Sequence, residues 1–321
     1  LKAGGILSMI QPSGPLLYQK DLKFKEDVFS TYNLLQVIDF TKLADKLWGK
    51  KNVSTAAVFL QKSRPDSEPV LHLIANRTFS NANKLFLEFD YYDFHFMSKN
   101  DAIFKPYTWK AHLLGGGRIT SLIERLSTLP TLKEFLKEKE RKEGWCVGIG
   151  YIIGDKSNKA DFITGKETIP VEALTENGID EKQIHECLIQ RFERPRKTKK
   201  KIYEGPHILI RVITGNQGIP IAYSEKYLTF PFGIIGIHAP QDDKSELSAL
   251  YDYLKENNSL LRSYILATSG RAMIGKATSI NKDDIMRIPY SHNKNDIIFS
   301  EAEKIIIEEI FFRNIHKQRN C

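Results

Sequence analysis

Apolar residues occur along the 321-residue chain in two patterns, short continuous runs and longer runs with helical spacing. Short runs at residues 6–10, 34–40 and 55–60 predict strands, the first of them buried, and residues 19–32 predict a helical stretch between the first two. Strand, helix and strand in this order are typical of an α/β sheet, but three strands are too few for a doubly wound one. We therefore expect residues 1–62 to form an incomplete α/β domain.

The next part, residues 63–143, is a polar, aromatic-rich connector that ends in two predicted helices, at 121–126 and 132–142. The second helix is amphipathic, with Leu132, Phe135 and Leu136 on one side and paired lysines and glutamates on the other. The connector should link the incomplete α/β domain to whatever follows it.

From residue 144 to 290 short strands alternate with turns around one clear helix at 245–257, which predicts an α+β domain. The last part, residues 291–321, should contain a C-terminal helix at 300–317. Ser300 and Glu303 have the spacing of a capping box at its start. Its expected apolar stripe consists of Ile305, Ile306, Ile310 and Phe311. The stripe would pack on its own domain or bind a partner subunit.

Composition narrows the function classes. Hydrophobic residues make up 41% and charged residues 27%, so a packed core is expected rather than disorder. The net charge of +8 favours a polyanionic partner. Three scattered cysteines fit neither a disulfide framework nor a metal site, and we predict no metal. Short apolar runs and the lack of a signal peptide predict a cytoplasmic protein. The start at Leu1 suggests an internal fragment of a longer protein.

A strongly basic run covers residues 191–201, with seven cations and one acid. Lysine and arginine at this density neutralise phosphates and release counterions. Pro195 argues against a plain helix, so we expect an extended loop. The alternative is a solvated surface loop without a partner. The candidate DNA-binding residues of the run are Arg194, Arg196, Lys197, Lys199, Lys200 and Lys201.

The segment from Gly270 to Lys276 has the glycine and lysine spacing of a phosphate-binding loop. The next residue is Ala277 instead of Ser or Thr, and a helical pattern precedes Gly270 where such a loop requires a strand. We therefore predict a flexible turn that offers Arg271 and Lys276 to phosphates, and no nucleotide hydrolysis.

Three stretches of the chain carry a resemblance to a known family. The first sixty residues, from Lys2-Ala3-Gly4-Gly5-Ile6 to Thr55-Ala56-Ala57-Val58, resemble the last strands of adenine-N6 DNA methyltransferases of restriction–modification systems, of the TaqI-like, type IIG and type I kinds. Residues 202–237 are similar to their target-recognition domain, and residues 279–290 to its closing segment. The resemblance implies an α/β remnant of a methyltransferase sheet followed by an α+β target-recognition domain, at 144–290, and a C-terminal helix.

The resemblance also implies a partner and a partial mechanism. Such enzymes turn the target adenine out of double-stranded DNA, and an aromatic residue stacks on the base. Trp48 occupies that position here; alternatively it packs beneath the sheet edge. A hairpin from residue 208 would face the major groove, where Arg211 could read guanine and Asn216 or Gln217 adenine. Thr214 lies in the same turn.

The sequence departs from the family where methyl transfer occurs. No two prolines are adjacent, so the catalytic Asn/Asp-Pro-Pro-Tyr loop is absent, and no glycine-rich turn follows a first strand to bind the cofactor. We predict no catalytic residue and no cofactor in this chain, with S-adenosylmethionine implied only for a full-length parent. A catalytic or nuclease domain or subunit is an expected partner. The alternatives are a standalone specificity subunit that pairs with a separate catalytic chain, and a general RNA- or protein-binding module.

Overall fold

A computed structural model describes residues 1–19, 22–49, 53–81, 84–154, 158–213, 218–272, 274, 280–291 and 299–313. The chain divides into two compact units. Unit 1 consists of Leu1–Thr128, Leu266–Thr278 and Ile298–Cys321, and unit 2 of Leu129–Ile265 and Ser279–Ile297.

A five-stranded mixed sheet with the order β1-β3-β2-β4-β7 organises unit 1. β3 is antiparallel to β1 and β2, whereas β2 and β4 are parallel. β5 and β6 form a separate hairpin. The strands of unit 1 are β1 (Ile6–Pro12), β2 (Asn33–Asp39), β3 (Thr55–Gln61), β4 (Val70–Ile74), β5 (Arg77–Asn81), β6 (Lys84–Glu88) and β7 (Phe94–Met97).

Helices cover one face of this sheet and enclose the core of unit 1. Val37, Val58 and Ile74 from the strands pack in one cluster with Phe29 and Trp109 from the helices. The helical elements of unit 1 are a π-helical turn (Gly14–Tyr18), α1 (Leu22–Thr31), a 3₁₀ turn (Thr41–Leu43), α2 (Ala44–Trp48), α3 (Lys99–Phe104), α4 (Pro106–Gly115), α5 (Thr120–Ser127) and, near the end of the chain, α10 (Glu301–Ile307) followed by a π-helical segment (Glu308–Arg313).

Two expectations about unit 1 are wrong. β1 is not buried: Ile6 and Ile10, on one face, are 55% and 57% exposed, and Met9, on the other, is 49% exposed. The reason is that β1 is an edge strand, paired only with β3 among the described strands. The connector expected after residue 62 instead contains strands, because β4 adds to β2 and β7 adds to β4.

A four-stranded antiparallel sheet with the order β14-β13-β15-β8 forms the centre of unit 2. Its core includes Ile163, Phe192, Ile202, Leu209 and Phe230. The strands of unit 2 are β8 (Cys146–Ile149), β9 (Glu167–Thr168), β10 (Leu174–Thr175), β11 (Gly178–Ile179), β12 (His185–Glu186), β13 (His207–Arg211), β14 (Ile221–Ser224) and β15 (Ile234–His238). The helices are α6 (Leu132–Lys142), α7 (Lys244–Glu256), α8 (Asn258–Thr268) and α9 (Lys282–Met286).

Most predicted helices are confirmed, and α6 has the expected bounds. The capping box of Ser300 and Glu303 is present, but Ile305 is 56% exposed, and Ile307 takes its place on the buried side. The extended loop expected around Pro195 is wrong over its second half, because 3₁₀-helical turns occupy Lys197–Tyr203, with a kink at Lys199. No helix within the described residues is long and apolar enough to cross a membrane.

Candidate nucleic-acid interface

Trp48, the predicted base-stacking residue, ends α2 with its ring largely accessible. The side chain is 44% exposed, whereas the other two tryptophans, Trp109 and Trp145, are buried at 0% and 3%. The indole N–H of Trp48 donates to the hydroxyl of Thr55, at 3.0 Å. One edge of the ring is therefore tethered while much of its surface faces outward, which does not fit the alternative of a tryptophan packed beneath the sheet.

The loop that carries Trp48 connects the C-terminal end of β2 to the N-terminal end of β3, two inner strands of the five-stranded sheet. At its start, the Thr41 hydroxyl lies 2.8 Å from that of Ser13, which follows β1. At its end, the Thr55 carbonyl accepts from the Phe40 N–H at 2.9 Å. We call the group of Ser13, Tyr18, Asp39, Thr41, Trp48 and Thr55 the Trp48 corner.

Asp39 is the only acidic residue of the Trp48 corner, and it is fully buried. It accepts hydrogen bonds from the Thr41 N–H, at 2.9 Å, and from the Tyr18 hydroxyl, and its Oδ2 lies 3.5 Å from Nε2 of His72. Burial alone would raise the pKa of Asp39, but the interactions with His72, Thr41 and Tyr18 together hold it below its usual value. Asp39 is therefore an ionised buried group that depends on its donors.

Two further histidines extend this network. Nδ1 of His72 lies 3.2 Å from Nδ1 of His112, whose ring stacks on His95. Burial and the neighbouring imidazoles lower the pKa of His112 to about 3, and burial first, then the nearby His72, lowers that of His95 to about 4. Both imidazoles are neutral near pH 7, so they contribute hydrogen bonds and packing rather than charge.

In unit 2, glycines on the sheet allow close packing: Gly148 and Gly236 leave room for Ile202 at the end of the predicted cationic run, and Gly150 leaves room for the backbone of Phe230 and Pro231. Gly148 and Gly236 face each other on β8 and β15, and a Cβ on either would come within 3.2 Å of the Ile202 side chain. A Cβ on Gly150 would lie 2.2 Å from the Phe230 carbonyl oxygen. We call Gly148, Gly150 and Gly236 the glycine platform, and residues 194–201 the basic segment.

Two cations of the basic segment are anchored to the protein. Arg196 donates from Nε to the Gly150 carbonyl at 3.2 Å and has a φ of 66°, in the left-handed region. Lys199 forms an ion pair with Glu140 at 2.6 Å. Glu140 also accepts from the Val147 N–H. These two side chains fix the segment on the sheet.

The remaining cations are free to meet a ligand. Lys197, Lys200 and Lys201 are exposed and have no acid at ion-pair distance among the described residues. Arg194 is 64% exposed at its side chain and lies 3.6 Å from Glu193, a weak surface pair. The basic segment therefore presents unneutralised lysines on a rigid support.

Arg211, the predicted base reader at the end of β13, shares a face with the glycine platform. It follows Leu209 by two residues, and Leu209 pairs with Gly236, so the three side-chain positions lie on one face. Its Nη1 is 3.4 Å from the Leu174 carbonyl, and its Nε is buried without a hydrogen-bond partner in the part of the chain that the structure describes. Thr214, Asn216 and Gln217 lie outside the described residues.

Arg271 belongs to unit 1 and not to the unit of the basic segment. It is exposed, and its N–H donates to the Ser269 hydroxyl at 3.2 Å. The preceding Gly270 lies against the backbone of Tyr18, where a Cβ would come within 2.6 Å of the carbonyl oxygen. Lys276 lies outside the described residues.

Two other features of unit 2 lie outside the predicted site. Glu143, Asp243 and Glu246 form the one acidic group with metal-ligand spacing among the described residues, but Lys139 bridges Glu143 and Glu246, and its charge offsets theirs. A shallow cavity of about 210 Å³ is lined by Ile179, Glu181, Tyr223, Ser224, Lys226 and Tyr251. It contains none of the predicted site residues.

The sequence analysis missed the buried part of the Trp48 corner and the role of the glycines. Tyr18, Asp39 and His72 are far apart in the chain, and no motif links them. A signal for the platform did exist, since glycine inside an apolar strand indicates close approach of another backbone. Gly148 and Gly236 both occupy such positions.

No protein-family model matches the chain, and no curated protein matches it. Among solved structures, it is similar to the Type IIL restriction–modification enzyme MmeI in complex with DNA, with 9% identity and a TM-score of 0.47, over 100% of this chain and 43% of that one. It is also similar to the type IIG restriction endonuclease BpuSI, with 11% identity and a TM-score of 0.35, over 96% and 42%. A structure of a type I restriction–modification complex matches 23% of this chain and 15% of that one, with 20% identity and a TM-score of 0.20.

The chain thus spans less than half the length of each of these proteins. All of these TM-scores are below 0.5, and the similarity assigns neither a family nor an activity to the chain.

Proposed function

We propose that this chain binds double-stranded DNA at a specific sequence, as the target-recognition part of an adenine-N6 DNA methyltransferase of a restriction–modification system. The observation that carries the proposal is the group of exposed lysines, Lys197, Lys200 and Lys201, which lie in the segment next to the glycine platform and have no acid at ion-pair distance among the described residues. Cations held on a rigid support suit phosphate binding, because little side-chain and loop entropy is lost on association. The solved MmeI complex with DNA is consistent with this partner.

We propose a separate role for each unit. In unit 2, lysines of the basic segment contact phosphates and set the register, while the end of β13 with Arg211 reads base edges. In unit 1, Trp48 stacks on a base that has left the helix, and its 44% exposure supports this role.

Methyl transfer requires a further catalytic part. β1 carries exposed apolar side chains on both faces, Ile6 and Ile10 on one and Met9 on the other. Strands that are apolar on two faces are typical of the interior of an α/β sheet. We infer that a catalytic domain or subunit continues the sheet at the free edge of β1.

S-adenosylmethionine does not fit the described residues of the Trp48 corner. The one carboxylate of the Trp48 corner, on Asp39, already accepts hydrogen bonds from Tyr18 and Thr41 and is fully buried. We expect no increase in melting temperature when S-adenosylmethionine is added to this chain. A clear increase would show that a cofactor site is present.

The proposal is tested by fluorescence anisotropy with duplex DNA over a series of salt concentrations. Replacing Lys197, Lys200 and Lys201 together by glutamine should reduce the slope of log affinity against log salt by about 2.7, since each phosphate contact contributes about 0.9. The matched control replaces Lys133, Lys137 and Lys182, three exposed lysines elsewhere in unit 2, by glutamine. It makes the same change in net charge.

Equal slopes for the two triple variants would contradict the proposed interface. Sequence specificity is measured separately, by selecting bound duplexes from a randomised pool. One enriched sequence that contains adenine is expected. Absence of enrichment, or tighter binding to RNA of the same sequence, would favour a general RNA- or protein-binding module instead.

A further inference from the structure

The loop from residue 41 to 55 is closed at its base by buried hydrogen bonds, independently of its exposed tip at Trp48. The Thr41 N–H donates to Asp39 at 2.9 Å, and the Phe40 N–H donates to the Thr55 carbonyl at the same distance. The Ser13 N–H also donates to the Ser54 carbonyl, at 3.0 Å. The two ends of the loop are therefore joined through Phe40 and Thr55, and both ends are bonded to Ser13, which follows β1.

Asp39 connects this closure to the core of unit 1. A buried carboxylate is stable only while its donors are in place, because an unpaired buried charge costs several kcal/mol. Tyr18 supplies one donor from the π-helical turn and Thr41 supplies another from the start of the loop. Loss of the Tyr18 hydroxyl therefore weakens the support of the same carboxylate that fixes Thr41.

We propose that Asp39 and Tyr18 are positioning residues that act through Thr41 to fix the base of the loop and thereby hold the Trp48 ring in its exposed position, where it stacks on an unpaired base. This inference rests on the proposed function, and it concerns stacking rather than phosphate binding. Ser13 assists from the other side, because its hydroxyl lies 2.8 Å from the Thr41 hydroxyl. None of the three residues needs to touch DNA.

The test compares Tyr18→Phe and Ser13→Ala with a matched control, Ser98→Ala. Ser98 also lies in unit 1, and its hydroxyl accepts from the Asp101 N–H at the start of α3, away from the loop. All three substitutions remove one hydroxyl that takes part in a hydrogen bond in unit 1, so Ser98→Ala controls for the loss of such a group outside the loop. Measurements are made at a temperature where every variant is fully folded.

Two measurements report on the Trp48 ring itself and not on the stability of the protein. The first is acrylamide quenching of tryptophan emission, which reports Trp48 because Trp109 and Trp145 are buried. The second is the change in 2-aminopurine emission when the protein binds a short duplex with 2-aminopurine opposite an abasic site. The difference in this emission change between the wild type and Trp48→Phe is taken as the stacking signal.

We expect Tyr18→Phe and Ser13→Ala to alter the quenching and to reduce the stacking signal at least about twofold. Their affinity for an unmodified duplex and its salt dependence should stay within about twofold of the wild type, because the basic segment is unchanged. Ser98→Ala should match the wild type in both readouts.

The outcomes separate the inference from the proposed function. If the wild type binds duplex DNA with a Trp48-dependent signal and both variants behave like Ser98→Ala, the positioning role is wrong and DNA binding stands. A wild type that binds duplex without any signal lost in Trp48→Phe would overturn both stacking and positioning. Failure of the wild type to bind duplex would overturn the proposed function itself. If Tyr18→Phe does not fold, Ser13→Ala alone decides.

Discussion

The Trp48 corner buries its charge, whereas the basic segment exposes its charge. In the corner, Asp39 is fully buried and accepts hydrogen bonds from Tyr18 and Thr41, and the exposed group is the uncharged ring of Trp48. On the glycine platform, backbone contacts and two anchored side chains support lysines that have no described acidic partner.

This difference separates two ways of binding DNA. Lysines that contact phosphates give affinity that falls with salt and carries little sequence information. A ring that stacks on a base depends on geometry, and its contribution should change little with salt. Substitutions that disturb one region and spare the other can therefore test both assignments.

The largest effect is expected from Gly150→Ala. The new Cβ would lie 2.2 Å from the Phe230 carbonyl oxygen and 2.4 Å from that of Pro231, and both are backbone atoms. The backbone must therefore move, at a cost of about 3 kcal/mol or more. Urea unfolding should show this loss for unit 2, and the remaining folded protein should bind duplex more weakly.

Gly154→Ala is the control for this prediction, because its Cβ would mainly meet the flexible side chain of Glu193, at 2.9 Å. Its loss of stability should be clearly smaller. Equal losses for the two alanine variants would show that the close approach of the Phe230 and Pro231 backbone to Gly150 does not limit the stability of unit 2.

The glycine platform also shows what the sequence could predict and what it could not. Local patterns located β2, β3 and α6 within a few residues, because apolar spacing and capping residues act over one element. The 3₁₀ helix of the basic segment was missed because it forms only where Ile202 can pack on Gly148 and Gly236, which are distant in the chain. Burial of β1 was mispredicted for a similar reason, since burial depends on neighbours that apolar spacing does not specify.

At the candidate site, too, contacts between residues that are distant in the chain could not be predicted from the sequence. Trp48 and the lysines were found because resemblance and charge density are visible in the sequence. Asp39 was passed over because its role depends on Tyr18 and His72, which only the folded chain brings together.

The next largest effect is a loss of stability in acid that depends on His207. Burial lowers the pKa of His207 to about 4, and its Nδ1–H donates to the Ile202 carbonyl beneath the basic segment. An unfolded histidine has a pKa of about 6.5, so on acidification the unfolded state binds the proton first. The contribution of His207 to the unfolding free energy is therefore fully present above about pH 6.5, and about 3 kcal/mol is lost as the pH approaches 4.

Urea unfolding between pH 7 and pH 4.5 checks this linkage. His207→Gln should remove about 3 kcal/mol of the acid-induced loss in unfolding free energy, although it is less stable at neutral pH, while His95 and His112, whose pKa values are also lowered, account for part of the loss that remains. His185→Gln, at an exposed position, should keep the wild-type slope. A wild-type slope in His207→Gln would mean that other groups account for the loss.

A smaller effect is expected at Arg196, which begins the 3₁₀ helix with a φ of 66°. Glycine adopts this conformation without strain, whereas alanine keeps the strain of about 1 kcal/mol and, like glycine, loses the hydrogen bond to Gly150. Arg196→Gly should therefore be about 1 kcal/mol more stable than Arg196→Ala in urea unfolding. Equal stabilities would indicate that the left-handed conformation is not retained in the variants.

The smallest effect concerns Thr55→Val in the Trp48 corner, and it is the sharpest test of the comparison. Valine keeps the shape of Thr55 but removes the hydroxyl that accepts from the Trp48 indole at 3.0 Å. Because the indole N–H can bond to water instead, we expect a loss of only about 0.5–1 kcal/mol in unfolding free energy. The freed ring should become more accessible to acrylamide, while the salt dependence of duplex binding, which the lysines of unit 2 control, should not change. A changed salt dependence would show that the corner and the basic segment do not act separately.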